Sequence, residues 1–128
     1  MLGLFGLFGR APEIQALDVA VRAVGLHPRL VPDAVKIATV KLLRAHGAMG
    51  AADTARAAEL LAYCMIGPDE LAAATDARLA QDVGARIDAA ADDGEGVDPS
   101  LIMLTVQAGV MQPQVMERHG LRIDREDA

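Results

Sequence analysis

The sequence predicts an all-α protein: a compact single domain built as a bundle of five to six helices. Three observations support this prediction. The length of 128 residues suits one domain, and such a chain can bury a core without disulfide or metal staples. Apolar residues recur at helical spacing, and no segment shows the alternation of a half-buried strand. Prolines and glycines fall where helices begin and end.

The first helix is predicted to begin at Pro12 and to end at Gly25. Proline is favoured in a first helical turn because its missing N–H would have no partner there. The apolar positions between these two residues share one helix face and are Ile14, Leu17, Val21 and Val24. This spacing is typical of an amphipathic helix that covers a core. Two prolines in the segment 26–32 then predict a non-helical connector.

Two further segments are apolar nearly all round their predicted helix axes. The first runs from Pro32 to about His46, and the second covers residues 101–110 and reads LIMLTVQAGV. A helix with this pattern is typically buried between neighbours. We therefore predict that these two segments form central, buried helices of the bundle.

The middle of the chain is predicted to contain two more helices. One is expected to begin at a cap on Asp53 or Thr54 and to end at Gly67, where Pro68 opens a new helical stretch. The pattern continues over 71–92 with a break expected near Thr75.

The last third of the chain begins with an acidic, turn-forming loop over 92–97. Asp98 is expected to cap the second apolar helix, with Pro99 behind it in the first turn. A short final helix is predicted from Pro113, closed by Gly120.

These elements divide the chain into three parts. Residues 12–120 form the helical domain, preceded by a flexible apolar segment over 1–11 and followed by a charged tail over 121–128. The first nine residues read MLGLFGLFG, which is too short to span a bilayer and lacks the positive start of a secretory signal. Because the chain also has a single cysteine, we expect a cytoplasmic location. The high alanine, glycine and arginine content is compatible with a GC-rich bacterial source.

Charge is unevenly distributed along the chain. The net charge of −6 disfavours nucleic acid as a partner, because binding to its phosphates depends on cations. Residues 20–47 nevertheless carry five cations and one acid, whereas residues 48–100 carry three arginines and eleven acids. Such asymmetry is compatible with head-to-tail pairing of two copies, or with balance inside the fold.

No catalytic or metal-binding motif is present in the sequence. Ser100 lacks the surroundings of a nucleophile elbow, and Cys64 falls on the apolar face of its predicted helix. His46 and His119 each precede a helix-ending glycine, a position that favours a cation without any metal. We therefore expect no enzyme, metal or cofactor.

These observations favour a non-catalytic helical module that assembles with itself, as a homodimer, or docks on another protein. The apolar surplus of 52% hydrophobic residues indicates a surface that a partner covers. The candidate contact residues are Leu4, Phe5, Leu7 and Phe8 in the apolar segment, and Lys36, Lys41 and Arg44 on the basic second helix.

Two alternatives remain open. One is a helical protein that binds a small molecule or a metal, with weak enzymatic activity at most and a pocket near His27, Arg29 and Tyr63. The other is peripheral membrane association through residues 1–10. Such an anchor needs more apolar area or more flanking cations, and this segment has only one cation, Arg10.

Overall fold

The computed structural model describes residues 11–121, and this range contains six α-helices and one 3₁₀ turn. The elements are α1 (Pro12–Ala23), the 3₁₀ turn (Pro28–Leu30), α2 (Asp33–Ala45), α3 (Ala51–Ala74), α4 (Ala77–Asp93), α5 (Val97–Gln107) and α6 (Pro113–His119). No strand occurs within the described range. The predicted all-α bundle of five to six helices is confirmed.

The longest helix, α3, packs against every other helix of the bundle. Five consecutive residues from Leu60 to Cys64 are buried, so this part of α3 is enclosed on all sides. The two helices predicted to be nearly all apolar, α2 and α5, pack against each other, and α5 also packs on α3 and α4. The first half of the chain therefore meets the second half along α2, α3 and α5.

The core consists of aliphatic side chains with Tyr63 as its aromatic member. Two hydroxyl groups lie among them, and each donates a hydrogen bond to a carbonyl of its own helix. Thr39 donates to the Val35 carbonyl at 2.7 Å, and Thr105 donates to the Ile102 carbonyl at 2.8 Å. These bonds offset the cost of removing the hydroxyls from water.

Helix ends follow the signals expected from the sequence at several positions. Pro12 and Pro113 open α1 and α6. The carboxylate of Asp76 caps α4 by accepting from the Leu79 N–H at 2.8 Å. Gly94 and Gly120 end α4 and α6 in the left-handed conformation, with φ of 78° and 65°. Glycine adopts this conformation without the steric cost that a β-carbon imposes.

Two helix starts differ from the prediction because the acidic residues expected as caps bond elsewhere. Helix α3 begins at Ala51, and the Asp53 carboxylate reaches back to accept from the Gly50 N–H at 3.2 Å. Helix α5 begins at Val97, which places Asp98 inside the first turn. The Asp98 carboxylate is bonded to an arginine of α4, described below.

The predicted boundary at Gly67 is a kink inside α3. Gly67 has φ 90° and ψ 163°, and helical geometry resumes directly at Pro68. The glycine therefore interrupts the helix as expected, while the two halves remain one element up to Ala74.

Candidate protein-interaction surface

Residues 101–106 of helix α5 are apolar apart from Thr105, but they are covered on only one side. Leu101, Ile102 and Thr105 face the core and are buried. Met103 is 51% exposed, and Val106 is partly exposed. The predicted burial of this segment therefore applies to the side that faces α2, α3 and α4, while the opposite side meets solvent.

A groove of about 910 Å³ runs along the exposed side of α5. One wall is α5 itself, and the other comes from the last turn of α4 and the residues that follow α6. The described residues that line the groove are all uncharged: Ala90, Ala91, Gly94, Pro99, Ser100, Ile102, Met103, Leu104, Val106, Gln107, Gly120 and Leu121.

Small residues explain why the groove remains open at this place. Ala90 and Ala91 fill little space at the end of α4, and Gly94 carries no side chain. At the other end, the left-handed turn at Gly120 directs the chain so that Leu121 lines the groove. The result is an apolar concavity on an acidic protein, and such a patch is typical of a surface covered by a partner.

A second groove, of about 460 Å³, is lined by several charged side chains, among them Arg86 of α4. The Arg86 guanidinium binds Asp98 with two bonds, from Nε at 3.0 Å and from Nη2 at 2.9 Å. It also donates to Glu59 at 3.3 Å and to the Arg56 carbonyl at 3.1 Å. Because all three guanidinium nitrogens have partners, Arg86 connects α3, α4 and α5 and has little capacity left for a ligand.

A third polar cluster joins α3, α4 and α6 through Tyr63, Asp88 and His119. The Tyr63 hydroxyl lies 2.7 Å from His119 Nε2, and His119 Nδ1 lies 2.8 Å from the Asp88 carboxylate. Because the carboxylate only accepts, Nδ1 carries the proton in neutral His119, and Nε2 then accepts from the Tyr63 hydroxyl. Burial raises the pKa of Tyr63, an effect that nearby Arg118 opposes.

The three side chains occur in the order of a hydroxyl–imidazole–carboxylate relay. They lie where three helices meet, away from the two grooves described above. Tyr63 is buried, and neither Tyr63 nor His119 lines the two grooves described above. A nucleophile or base must reach its substrate within hydrogen-bond distance. The two hydrogen bonds of the cluster connect α6 to α3 and α4.

Two of the three predicted basic contact residues are engaged within the chain. Lys36 is buried and pairs with Asp18 of α1 at 2.9 Å. Arg44 pairs with Glu13 of α1 at 3.2 Å. Lys41 is exposed. The basic stretch predicted from the sequence therefore serves in part to attach α2 to α1.

The remaining predicted contact residues, Leu4, Phe5, Leu7 and Phe8, lie outside the described residues. Of the three residues of the predicted ligand pocket, two are bonded to each other and the third has a different partner. His27 accepts from the backbone N–H of Arg29 at 3.1 Å through Nδ1, so these two residues are joined. Tyr63 bonds instead to His119.

Cys64 is buried in α3, next to Tyr63. Burial raises the pKa of its thiol to about 12, although a hydrogen bond with Thr105 and the charge of Arg86 both act to lower it. A thiol reacts as a nucleophile only when it is ionised. The environment of Cys64 is therefore that of an inert core residue.

Two further structural findings concern metals and membranes. Within residues 11–121, no three His, Cys, Asp or Glu side chains come together in a way that would hold a metal ion. Over the same range, none of the helices combines the length and apolar character that a membrane crossing requires.

No known protein-family model matches the chain, and no curated protein or solved structure matches it either. The function is therefore inferred from the surface itself.

Sequence reasoning missed both the half-exposed side of α5 and the partner of His119. The apolar sequence of residues 101–110 could have indicated the exposed side of α5. A helix that is apolar nearly all round needs neighbours on every side, and a small bundle has too few helices to provide them. The bond between His119 and Tyr63 joins residues that are 56 positions apart, and no local pattern indicates it.

Proposed function

We propose that this chain is a non-catalytic helical assembly module that forms a homodimer through the groove of α5. The observation that carries the proposal is the combination of an uncharged groove and an exposed Met103 on the same face. The clusters that hold reactive side chains support a non-catalytic role, because Arg86 and His119 already have partners within the bundle.

The face of α5 is suited to binding a copy of itself. A two-fold interface uses the same patch on both subunits, so a projecting residue must meet a depression on that same patch. Met103 projects from α5 beside the groove that α5 lines. In a two-fold pair, Met103 of each protomer enters the groove of its partner, and the flexible methionine side chain adapts to an irregular cavity.

Charge also favours a second copy at this surface. Two molecules with a net charge of −6 repel one another wherever their acidic surfaces meet. The described residues that line the α5 groove carry no charge, so two copies can approach there without like charges in contact. Interface cores are depleted of charged residues in the same way.

The test is the mass of the protein in solution, measured by light scattering after size exclusion over a dilution series. We expect a dimer for the native chain and a monomer for Met103→Glu, because the substitution places an unpaired charge in the interface core. The dimer dissociation constant should rise at least about tenfold, as for loss of a central interface residue.

The matched control is Val19→Glu on α1. Val19 is 69% exposed and lines neither groove, so this substitution adds the same charge to an exposed apolar position elsewhere. The control should remain dimeric. A native chain that is monomeric at all concentrations would overturn the proposal, as would equal weakening of the dimer by both substitutions.

A further inference from the structure

A third groove, of about 320 Å³, lies where the described chain begins. It is bounded by α1, the second half of α2 and the first turn of α3. Leu17, Val40 and Leu43 form its floor, and Met49 at its edge is 41% exposed. This groove is separate from the α5 groove, and the two share no lining residue.

The position of this groove is set by the start of α1. Pro12 and Glu13, the first two residues of the helix, are themselves part of the lining. Ala11 has φ −55° and ψ 136°, so the chain enters the helix in an extended conformation. The residues before Ala11 are therefore attached at the rim of an apolar concavity.

The attached segment has the composition that such a concavity accepts. Residues 1–9 contain both phenylalanines of the chain, and none of these nine residues is charged. Four peptide units separate Phe8 from Pro12, which gives Phe8 a reach of roughly 14 Å from the groove rim. Glycines at positions 6 and 9 accept the backbone angles that a turn back towards α1 would require.

We propose that residues 4–8 of the chain dock into this groove of their own molecule. In this arrangement Leu7 and Phe8 pack on the exposed lining residues Ala16 and Met49, above the buried floor of the groove. Because the segment is attached to the groove at Pro12, its docking is intramolecular, and its effective concentration at the groove is in the millimolar range. The segment of the same chain therefore outcompetes that of a second copy at ordinary protein concentrations. This proposal is independent of the homodimer, because it concerns a different groove.

The experiment uses Phe8→Trp in the full-length chain. The native sequence contains no tryptophan, so the new indole is the only one in the protein. We measure quenching of its fluorescence by acrylamide, which decreases when the ring is covered. The quenching constant should be at least about twofold lower in the folded protein than in the urea-unfolded chain, as expected for a buried aromatic ring.

The decisive variant adds Ala16→Arg to this reporter. Ala16 is exposed and lines the groove, so arginine obstructs the site while remaining a good helix former. We expect quenching to rise about twofold, to the level of the unfolded chain. The matched control is Val19→Arg, on the same helix but outside the groove, and it should leave quenching unchanged.

Dilution distinguishes the segment of the same chain from that of a second copy. Intramolecular docking predicts shielding that is unchanged on dilution, and also unchanged in the Met103→Glu background. Shielding that disappears on dilution would assign the segment to another molecule and overturn the proposal. Equal quenching with and without Ala16→Arg would also overturn it, whatever the oligomeric state proves to be.

Discussion

At the scale of single residues, Arg86 shows how a charge pattern on a helix can conceal a structural role. Arg78, Asp82 and Arg86 follow one another at four-residue spacing on α4, which suggests one solvated face. The first two are exposed, whereas the Arg86 side chain is only 13% exposed. The partners of Arg86 lie on α3 and α5, so its role depends on tertiary contacts that the spacing does not contain.

The first prediction concerns replacement of Arg86. Arg86→Ala should lower the free energy of unfolding by about 2–3 kcal/mol, because it leaves the partly buried Asp98 and Glu59 without their cation. Arg78→Ala on the exposed part of the same helix should change it by less than about 0.5 kcal/mol. Urea unfolding followed by circular dichroism measures both values.

A double-mutant cycle tests the cause of this loss. Asp98→Asn alone should also destabilise the fold, but its effect should be smaller when Arg86 is already alanine. Additive effects of the two substitutions would show that the bidentate bond contributes nothing beyond the two separate side chains.

At the scale of elements, the shortest helix depends on the kink in the longest one. Helix α6 has seven residues and is too short to be stable alone. The backbone N–H of Gln112, just before α6, donates to the Cys64 carbonyl of α3 at 2.9 Å. The side chain of Gln112 lies against Gly67, where α3 kinks. The kink therefore provides the space in which the start of α6 rests.

Replacing Gly67 by alanine tests this dependence. A β-carbon there would lie 2.7 Å from Gln112 Oε1, so the end of this flexible side chain would have to move aside. The larger cost comes from the backbone, because φ 90° and ψ 163° suit glycine alone. Gly47→Ala, at the end of α2, is the matched control, because Gly47 also has positive φ, a β-carbon there would meet nothing within 4 Å, and Gly47 lines none of the three grooves. The control should cost about 1 kcal/mol, and Gly67→Ala at least about 1 kcal/mol more.

Hydrogen exchange locates the additional loss. In Gly67→Ala, amides of α6 should exchange faster relative to those of α1, whereas Gly47→Ala should not single out α6. Equal stability losses in the two variants, with no change confined to α6, would mean that the contact with Gln112 does not hold this helix.

Helix periods and end signals were enough to predict the fold class and most elements, because both depend on local sequence. Pro12, Pro113 and Gly120 mark predicted ends that the structure retains. Asp98 shows the limit of such reasoning. Its sequence context favours a cap, but Arg86 of another helix binds its carboxylate, and α5 begins at Val97, two residues before the predicted first helical residue Pro99.

The candidate surface was less predictable than the fold. Sequence hydropathy shows that residues 101–110 are apolar but not how many neighbours cover them. Lys36 and Arg44 show the same limit for charged residues. The sequence of a basic stretch is the same whether its side chains face solvent or form ion pairs with α1, as these two do. Both questions depend on which helices meet, and that information is distributed over the whole chain.

At the scale of the whole molecule, the two proposed grooves have different roles. The α5 groove binds a second copy, and the groove beside Pro12 binds residues 4–8 of the same chain. The sequence alone shows only that the chain has an excess of apolar residues. If residues 1–9 were a hook onto a partner, their removal would weaken association. If they dock in their own chain, their removal eliminates the contacts of Leu7 and Phe8 with Ala16 and Met49, and so weakens the fold. The α5 groove, which shares no residue with that site, would still hold the dimer together.

Deleting residues 1–9 should therefore lower the free energy of unfolding by about 2 kcal/mol, the value of burying one large apolar side chain. This is measured in the Met103→Glu background, so that dissociation of a dimer does not contribute. In the native background the dimer dissociation constant should stay within about twofold, because the α5 groove that holds the dimer is separate from the groove proposed for residues 4–8. A twofold change corresponds to about 0.4 kcal/mol, on a scale where tenfold is 1.4 kcal/mol. A control of full length, with serine at positions 4, 5, 7 and 8, should reproduce both results because it removes the same apolar contacts. Loss of the dimer with unchanged unfolding energy would reverse the assignment: the segment would then bridge two molecules, and the groove beside Pro12 would receive it from a neighbour.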